Sequence, residues 1–341
     1  MLSSGFRLLR GKATLPPHHR RRTLADWKGL QDFLRVCDCS RLVVIDDDPT
    51  GCQTMHNVDV LLEHSVATLQ SQLQQDDKPF FILTNSRSLT EPQAASITRT
   101  VMENLFKAKQ QAQYPKQLRI VSRSDSTLRG HFAAEVNSIK ASTLGSEYDG
   151  VVFCPAFFEG NRYTIDNFHY LMDRHELVPV SETPFANDPH FGFTTSHLPT
   201  YLQHKDKALV DRSVVCVSLE DLRGDRAVDI VINKLLGTPK DGVVVVNGKL
   251  KRHTLYTIHH TPYTIYHTAT KYSDLVTFTK GLVAAEKGKG KGEGGGRRFL
   301  IRSAASILPP LCGIPPLPPL TKDQLSPMVS SRHGGGGGGV G

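Results

Sequence analysis

The chain has 341 residues, of which 39% are hydrophobic and 22% charged, a composition typical of a folded globular protein and not of a disordered one. Its net charge is +8, but residues 1–25 contain six basic and no acidic side chains, and residues 287–298 contain five basic and one acidic. Because the positive charge is concentrated in these two segments, we do not expect a nucleic-acid-binding surface on the folded body. No hydrophobic run approaches the ~20 residues of a membrane-spanning helix, so no membrane association is expected.

Residues 1–25 allow two interpretations. A basic, acid-free start that contains serine is typical of an organellar transit peptide, and an unstructured basic segment has the same composition. The six cysteines form no Cys-x-x-Cys pair, which argues against a zinc ribbon and favours free thiols in a reducing compartment. We therefore expect a cytoplasmic protein, with mitochondrial or plastid targeting through residues 1–25 as the alternative.

Short apolar runs alternate with helical patterns along the chain. The predicted strands are Leu42–Ile45, Phe80–Leu83, Leu118–Val121, Val151–Cys154, Val214–Val217 and Val243–Val246. The clearest predicted helices are one that begins at Thr90, with a Thr90 and Gln93 capping box, and the segments Phe132–Leu144 and Leu219–Leu236. Continuous apolar strands separated by helices predict an α/β fold, with a layered, mostly parallel sheet and helices on both faces.

The second half of the chain departs from this alternation. Residues 253–273 form a histidine-containing quasi-repeat without helical or strand periodicity, which we interpret as a low-complexity insertion, with a histidine metal site as the alternative. After Ile307 the chain is proline-rich and then glycine-rich, so no packed core is expected there. The predicted divisions are a basic disordered or transit-like segment (1–25), an α/β domain (26–248), the insertion (249–272), the remainder of the domain with a linker (273–325) and a disordered glycine-rich tail (326–341).

Polar side chains directly follow four of the predicted strands. The segments are 46–51, 84–88, 122–131 and 155–162, and they are rich in aspartate, serine and arginine. Because parallel strands present their carboxyl ends at one edge of a sheet, we expect these segments to line one crevice.

The residue types in that crevice indicate its ligand. The forked donors of Arg87, Arg123, Arg129 and Arg162 suit a carboxylate or a phosphate. The carboxylates of Asp47, Asp48 and Asp125 can accept from sugar hydroxyls, hold Mg²⁺ or take a proton. Gly51 and Gly130 allow the backbone to approach a ligand closely. A small polyhydroxy acid would use all of these groups.

Two reactions fit an aspartate-rich strand end. The first is phosphoryl transfer to a bound hydroxyl, with an aspartate as the base. The second is hydrolysis through a phosphoaspartate, because Asp46-x-Asp48-x-Thr50 resembles the haloacid dehalogenase signature. That family's later acidic motif has a counterpart in Gly224-Asp225-x-x-x-Asp229, but this segment lies in a predicted helix and not at a strand end. The phosphatase is therefore the weaker interpretation, and Asp46 is taken as a neighbour of the site.

Several motifs resemble those of the four-carbon acid sugar kinases. They are Asp47-Asp48-Pro49-Thr50-Gly51, Asp125-Ser126-Thr127-Leu128-Arg129-Gly130, the segment 155–164, and Glu182-Thr183-Pro184-Phe185-Ala186-Asn187-Asp188-Pro189 followed by Phe191-Gly192-Phe193. The resemblance extends from about Leu24 to Leu320, with Asn161 at a position where glycine is common in that family. It implies an N-terminal domain that binds a tetronate-like acid and a C-terminal domain that binds ATP.

The resemblance and the strand ends together give the expected site. Asp47, Asp48 and Asp125 are the candidate catalytic residues, and no metal-ligating residue is predicted. The candidate substrate-binding residues are Thr50, Gly51, Ser86, Arg87, Arg123, Ser126, Arg129, Gly130, Gly160 and Arg162. The expected partner is a small sugar acid, and the sequence leaves homo-oligomer formation open.

The resemblance implies ATP and Mg²⁺ for the intact family, but no ATP site is evident in this chain. No GxxxxGK[ST] loop is present, and the segment 302–306 resembles the stretch that leads into the family's nucleotide-binding domain. We therefore expect the substrate-binding portion of a kinase without its nucleotide-binding domain. The alternative is a truncated gene product without catalytic function.

Overall fold

The computed structural model describes residues 17–38, 40–174, 176–209, 214–248, 254–258, 261–265, 272–288 and 296–317. Within them the strands are β1 (Arg41–Asp46), β2 (Asp59–Leu61), β3 (Phe80–Leu83), β4 (Leu118–Arg123), β5 (Gly150–Cys154), β6 (Arg162–Ile165), β7 (Phe168–Asp173), β8 (Glu176–Pro179), β9 (Val214–Val217), β10 (Gly242–Val246), β11 (Thr254–Ile258), β12 (Thr261–Ile265) and β13 (Phe299–Ser303). The helices are α1 (Pro17–Cys37), α2 (Val66–Gln74), α3 (Glu91–Gln111), α4 (Phe132–Lys140), α5 (Leu198–Lys205), α6 (Ala227–Gly237), α7 (Ser273–Glu286) and α8 (Leu308–Cys312).

An eight-stranded parallel sheet forms the centre of the fold, in the order β2-β3-β1-β4-β13-β5-β10-β9. Asp46 at the end of β1 pairs with Leu83 of β3 on one side and with Arg123 of β4 on the other. The carboxyl ends of these three neighbouring strands therefore lie side by side. The predicted α/β class with a layered parallel sheet is confirmed.

Each face of the sheet has its own hydrophobic core, because successive strand residues point to opposite sides. On one face Val44, Val121 and Val152 pack with α1, α6, α7 and α8. On the other face Ile120 and Val151 pack with α2, α3, α4 and α5. Burial of an aliphatic side chain contributes about 1.5–3 kcal/mol, so continuous apolar strands are stable only when both faces are covered.

Helix ends follow local signals, and one predicted start is wrong. Helix α3 begins after Thr90, whose backbone amide donates to Gln93 Oε1 at 3.0 Å in the expected capping box. Helix α6 begins at Ala227 and not at Leu219. The intervening residues form turns, in which Ser218 N donates to Asp221 Oδ2 at 2.6 Å and Gly224 has a φ of +135°. Helix α4 ends at Lys140, four residues before the predicted end.

Strand β13 was not predicted and changes the interpretation of residues 302–306. Arg302 and Ser303 belong to this strand, which lies between β4 and β5 in the centre of the sheet. The start of this segment is therefore part of the central sheet, although its sequence resembles a connection to another domain. The sequence analysis predicts no packed core after Ile307. This prediction is wrong for α8, because Leu308 and Leu311 are buried in the same hydrophobic core as Val44.

The remaining unpredicted strands are antiparallel. Strands β6, β7 and β8 form a three-stranded sheet after β5, and β11 pairs with β12 inside the histidine-containing quasi-repeat. The expectation that this repeat lacks strand structure is thus wrong for 254–258 and 261–265. Its histidines, the tail 326–341 and residues 1–16 lie outside the described residues.

Two further sequence predictions concern the cysteines and the absence of membrane-spanning helices. The cysteines of the described part, Cys37, Cys52, Cys154, Cys216 and Cys312, are free thiols. Among the described helices, none combines the length and hydropathy required to cross a membrane.

Candidate functional site at the carboxyl ends of the strands

A tight turn follows β1 and is stabilised by Asp48. Its Oδ1 accepts from the backbone amide of Thr50 at 2.9 Å and from the Thr50 hydroxyl at 2.5 Å. Gly51 closes the turn against Asp46, and a Cβ atom at position 51 would lie 1.6 Å from Asp46 Oδ2. Glycine is required here because of space, since the carboxylate of Asp46 occupies the position of a side chain.

Substitution of Gly51 by alanine is expected to lower the free energy of unfolding by about 1–3 kcal/mol, because the buried Asp46 side chain must shift to make room. Urea denaturation measures this change. Gly237→Ala is the matched control, because nothing lies within 4 Å of its added Cβ. Equal stabilities of the two variants would show that the turn tolerates a side chain.

The segment after β3 brings Arg87 over the end of β1. Asn85 adopts a left-handed conformation with φ of 51°, and a short 3₁₀ turn, Ser86–Ser88, follows. Arg87 Nη2 donates to Asp47 Oδ1 at 2.6 Å, and its Nε donates to Asp47 Oδ2 at 3.0 Å. Burial lowers the pKa of Arg87, but the hydrogen bonds and the charge of Asp47 outweigh this effect and raise it. The two side chains form a bidentate ion pair at the floor of the crevice.

The segment after β4 adds a second acid and a second arginine. Arg129 Nε donates to Asp125 Oδ2 at 2.7 Å, and Arg87 Nη1 lies 4.0 Å from Asp125 Oδ1. Gly130 has a φ of +119°, which favours glycine. A Cβ atom at this position would lie 3.2 Å from Asp47 Oδ2 and 3.2 Å from Arg302 Nη2, so the turn packs closely on the floor of the crevice.

Asp47, Asp48, Asp125, Arg87 and Arg129 thus form one connected set, which we call the Asp–Arg cluster. Arg87 joins the three acids, because its Nη1 also donates to Asp48 Oδ2 at 3.1 Å. Asp47 is buried, whereas the Asp48 side chain retains 26% and that of Asp125 12% of its accessible surface. Asp48 and Asp125 are therefore the carboxylates that a ligand can reach.

The two accessible carboxylates are ionised at neutral pH. Burial raises the pKa of Asp48, but hydrogen bonds from Thr50 and the charge of Arg87 outweigh it and hold the pKa below its usual value. The pKa of Asp125 is likewise lowered, because the hydrogen bond from Arg129 and the charge of Arg87 outweigh burial. Both groups are thus acceptors that suit hydroxyl donors.

A second layer of charged side chains lies beneath the cluster. Arg123 Nη1 lies 3.5 Å from Asp46 Oδ1 and 3.6 Å from Asp47 Oδ1, and Arg123 is buried. Glu135 of α4 accepts from Ser86 Oγ at 2.5 Å and forms a buried ion pair with Arg302 of β13. Arg302 Nη1 also donates to Ser122 Oγ at 2.6 Å. These contacts fix the ends of β3, β4 and β13 to one another.

Glu135 and Arg302 were missed by the sequence analysis. Glu135 lies inside a helix, and β13 begins 176 positions after the end of β4 (299 − 123), so neither residue directly follows a predicted strand. The available signal was a charged side chain within an otherwise apolar segment, as in Phe299–Ser303.

Asp46 is buried, with 3% of its surface exposed, and burial raises its pKa to about 7, although the charge of Arg123 opposes the shift. This environment does not suit an exposed phosphoaspartate nucleophile. The acidic motif of the phosphatase interpretation is also displaced, because Asp229 lies in α6, the helix that leads to β10 at the far side of the sheet.

Titration of Asp46 predicts a pH dependence of stability. The folded state binds this proton more tightly than the unfolded state, so the free energy of unfolding should fall as the pH rises from about 4 to about 7. Between pH 5 and pH 8 the wild type should lose about 2–3 kcal/mol more than Asp46→Asn, which carries no titrating group there. Urea denaturation at both pH values measures the difference, and identical losses would contradict the raised pKa.

The remaining residues that the sequence singled out lie in several different environments. Thr50 is exposed beside Asp48, and Ser126 is buried with its carbonyl accepting from His169 Nε2 at 2.7 Å. Arg162 donates to the carbonyl of Gly160 and its guanidinium lies 5.9 Å from the ring centre of Phe157. Arg162 therefore forms no direct ion pair with the cluster among the described residues, although it lies near enough to Asp125 for their charges to interact. Asn161 has φ of 63°, which explains why glycine suits its position.

The described residues contain no group of three or more histidine, cysteine, aspartate or glutamate side chains arranged to hold a metal ion. Within the cluster, both oxygens of Asp47 accept from Arg87, and Asp48 and Asp125 each have an oxygen in contact with an arginine. These carboxylates and arginines suit the recognition of a ligand that carries hydroxyl groups and a carboxylate.

Several known proteins are similar to this chain. Residues 42–261 match the family model described as a sugar-binding N-terminal domain. The chain is also similar to D-threonate kinase of Bordetella bronchiseptica, with 38% identity over 121 residues, which are 36% of this chain and 27% of that protein.

The same fold occurs in solved structures. A Haemophilus influenzae protein aligns with a TM-score of 0.51 and 14% identity, over 80% of this chain and 55% of its own. A Bordetella bronchiseptica domain of unknown function, solved with bound citrate as a domain-swapped dimer, aligns with a TM-score of 0.53 and 22% identity, over 80% of this chain and 56% of its own. The chain thus spans about half the length of these structures and about a quarter of the curated kinase. From the extent of the family match, the chain belongs to the sugar-binding N-terminal domain family, and the resemblance to the four-carbon acid sugar kinases is confirmed.

Proposed function

We propose that this chain binds a four-carbon sugar acid, a tetronate or 3-oxotetronate, as the substrate-binding portion of an ATP-dependent kinase. The observation that carries the proposal is the Asp–Arg cluster at the carboxyl ends of β1, β3 and β4, in a chain of a sugar-binding family. Ligands of open α/β sheets bind at such an edge.

The cluster suits the parts of a polyhydroxy acid. Ionised Asp48 and Asp125 accept hydrogen bonds from its hydroxyls, and either can accept a proton from the hydroxyl that is phosphorylated. Asp47 serves chiefly to hold Arg87, because both of its oxygens already accept from that side chain. Arg129, whose side chain retains 26% of its surface, is an accessible donor beside Asp125. Thr50, Gly51, Gly130, Gly160 and Arg162 complete the proposed walls.

The phosphoryl donor of the whole protein is proposed from the family. ATP with Mg²⁺ would meet the sugar acid at the open side of the cluster, supplied by a part of the protein other than the described residues. The curated relative is a D-threonate kinase, which makes threonate the first acid to test. A cytoplasmic location is proposed, with a mitochondrial or plastid one as the alternative. A homo-oligomer is also proposed, and sedimentation analysis of the purified protein tests its size.

Calorimetric titration of the folded chain with threonate, erythronate and 3-oxotetronate tests the proposal. We expect saturable binding of at least one acid with single-site stoichiometry. Asp125→Asn should weaken it about tenfold or more, because the amide group replaces an ionised acceptor. Asp173→Asn, an exposed change at the end of β7, is the control. No heat with any acid, in a sample that unfolds cooperatively, would contradict the proposal.

A further inference from the structure

A cavity of about 540 Å³ lies beside the Asp–Arg cluster, and of its lining residues only Arg87 and Gly130 belonged to the predicted site. It lies between the turn after β3, the first turn of α4 and the end of α5. Its volume falls within the range of small-molecule binding pockets. Its charged lining residues are Arg87, Glu91 and Lys205, and its aromatic ones are His131, Phe132, His190 and Phe191.

Lys205 is the principal charge of this cavity. Its Nζ donates to the carbonyl oxygens of Phe191 at 3.1 Å and Gly192 at 3.0 Å, which are neutral acceptors. No carboxylate of the described residues forms an ion pair with it, and Glu91 at the rim is exposed. Burial lowers the pKa of Lys205, although the charges of Asp188 and Glu91 oppose this effect. An ammonium group that is half-buried without a carboxylate partner is stabilised by a bound anion.

Other groups of the cavity also favour the binding of an anion. His131 Nε2 donates to the carbonyl of Leu89 at 2.8 Å, and its ring packs edge-on against Phe191 at 4.8 Å between centroids. His190 adds a second imidazole to the lining. The cavity wall also includes Phe132 and Ala133 in the first turn of α4. Apolar walls of Phe132 and Phe191 strengthen an ionic contact by excluding water.

The cavity is continuous with the Asp–Arg cluster. Arg87 and Gly130 line the cavity, and both also belong to the floor of the crevice. Arg87 is ion-paired with Asp47 there, and a Cβ atom at Gly130 would lie 3.2 Å from Asp47 Oδ2. The cavity therefore borders the part of the crevice in which Arg87 contacts Asp48 and approaches Asp125.

We propose that this cavity binds the carboxylate of the sugar acid, with Lys205 as its counter-ion, while the hydroxyls run past Gly130 to Asp48 and Asp125. The inference rests on the proposed function and adds the orientation of the substrate. The carboxylate of the ligand then lies beside Lys205 and its hydroxyls lie beside Asp48 and Asp125. This orientation separates the negative charge of the ligand from the carboxylates of the cluster.

Calorimetry with threonate and with the neutral polyol threitol tests this orientation. Lys205→Gln should weaken threonate binding about ten- to a hundredfold, because a charge-assisted contact is lost, and should leave the weaker threitol binding unchanged. Lys207→Gln is the matched control, because Lys207 is exposed and lies outside the cavity lining. Lys205→Arg, which keeps the charge, should restore most of the threonate affinity.

The outcomes separate the inference from the proposed function. If the wild type binds no tetronate, the proposed function fails and the orientation fails with it. If the wild type binds threonate and Lys205→Gln binds it equally well, the orientation alone is overturned. Equal losses in the glutamine and arginine variants, or an equal loss for threitol, would show that Lys205 only holds the loop of Phe191 and Gly192, which also overturns it.

Discussion

Replacement of Arg87 by alanine is expected to lower the free energy of unfolding by about 3–5 kcal/mol. The substitution leaves the buried carboxylate of Asp47 without its bidentate partner and removes the group that joins Asp48 and Asp125. A buried charge without a partner is far more costly than a lost surface pair, because no water replaces the missing hydrogen bonds. The same variant should lose sugar-acid binding.

Arg35→Ala is the control for Arg87→Ala. Arg35 pairs with Asp32 in α1, but the two side chains retain 76% and 53% of their surface, so the pair contributes at most about 1 kcal/mol. Urea denaturation of the two variants at pH 7 gives the comparison. A loss below about 1 kcal/mol for Arg87→Ala would show that the floor of the crevice is accessible to water, contrary to the described burial.

Replacement of Glu135 by alanine is the second large change, also expected at about 3–5 kcal/mol. Glu135 is the carboxylate partner of Arg302, and both are almost completely buried, with 3% and 2% of their surface exposed. Without it, Arg302 remains charged in the centre of the sheet and Ser86 loses its acceptor. Because Ser86 precedes Arg87, the turn that carries Arg87 should also loosen.

The control for Glu135 is Glu147→Ala. Glu147 pairs with Arg298, but its side chain retains 58% of its surface, and a change of less than about 1 kcal/mol is expected. Chemical denaturation measures stability, and calorimetry with a sugar acid measures the effect on the site. If Glu135→Ala matched its control in stability, the buried ion pair would not hold β13 to α4.

The parallel sheet could be predicted from sequence because β1, β3, β5, β9 and β10 contain uninterrupted apolar runs, and the run of β4 is interrupted only by Arg119. Strand β13 escaped prediction because its apolar run ends after three residues, at Ile301, and the next residue, Arg302, is buried only because the fold supplies Glu135 as its partner. The antiparallel strands β6–β8 mix polar with apolar side chains, and β7 and β8 are partly exposed, so their apolar pattern is weak. The start of α6 was misplaced because Leu222 continues the apolar pattern of the helix through a turn.

The site could be predicted as far as its position, since residues after neighbouring parallel strands must meet at one edge. The sequence could not distinguish the roles of Asp47, Asp48 and Asp125, because their burial and pairing depend on Arg87, which follows a different strand. Lys205 was not identified for a related reason. It lies at the end of α5, and the fold places it beside residues that follow β3 and β4.

A crystal structure of the chain grown with saturating threonate tests the central claim most directly. We predict that the acid lies at the carboxyl ends of β1, β3 and β4, with its hydroxyls within hydrogen-bonding distance of Asp48 and Asp125. Threonate bound at another place, with the Asp–Arg cluster unchanged and without ligand, would contradict the claim that this cluster recognises the sugar acid.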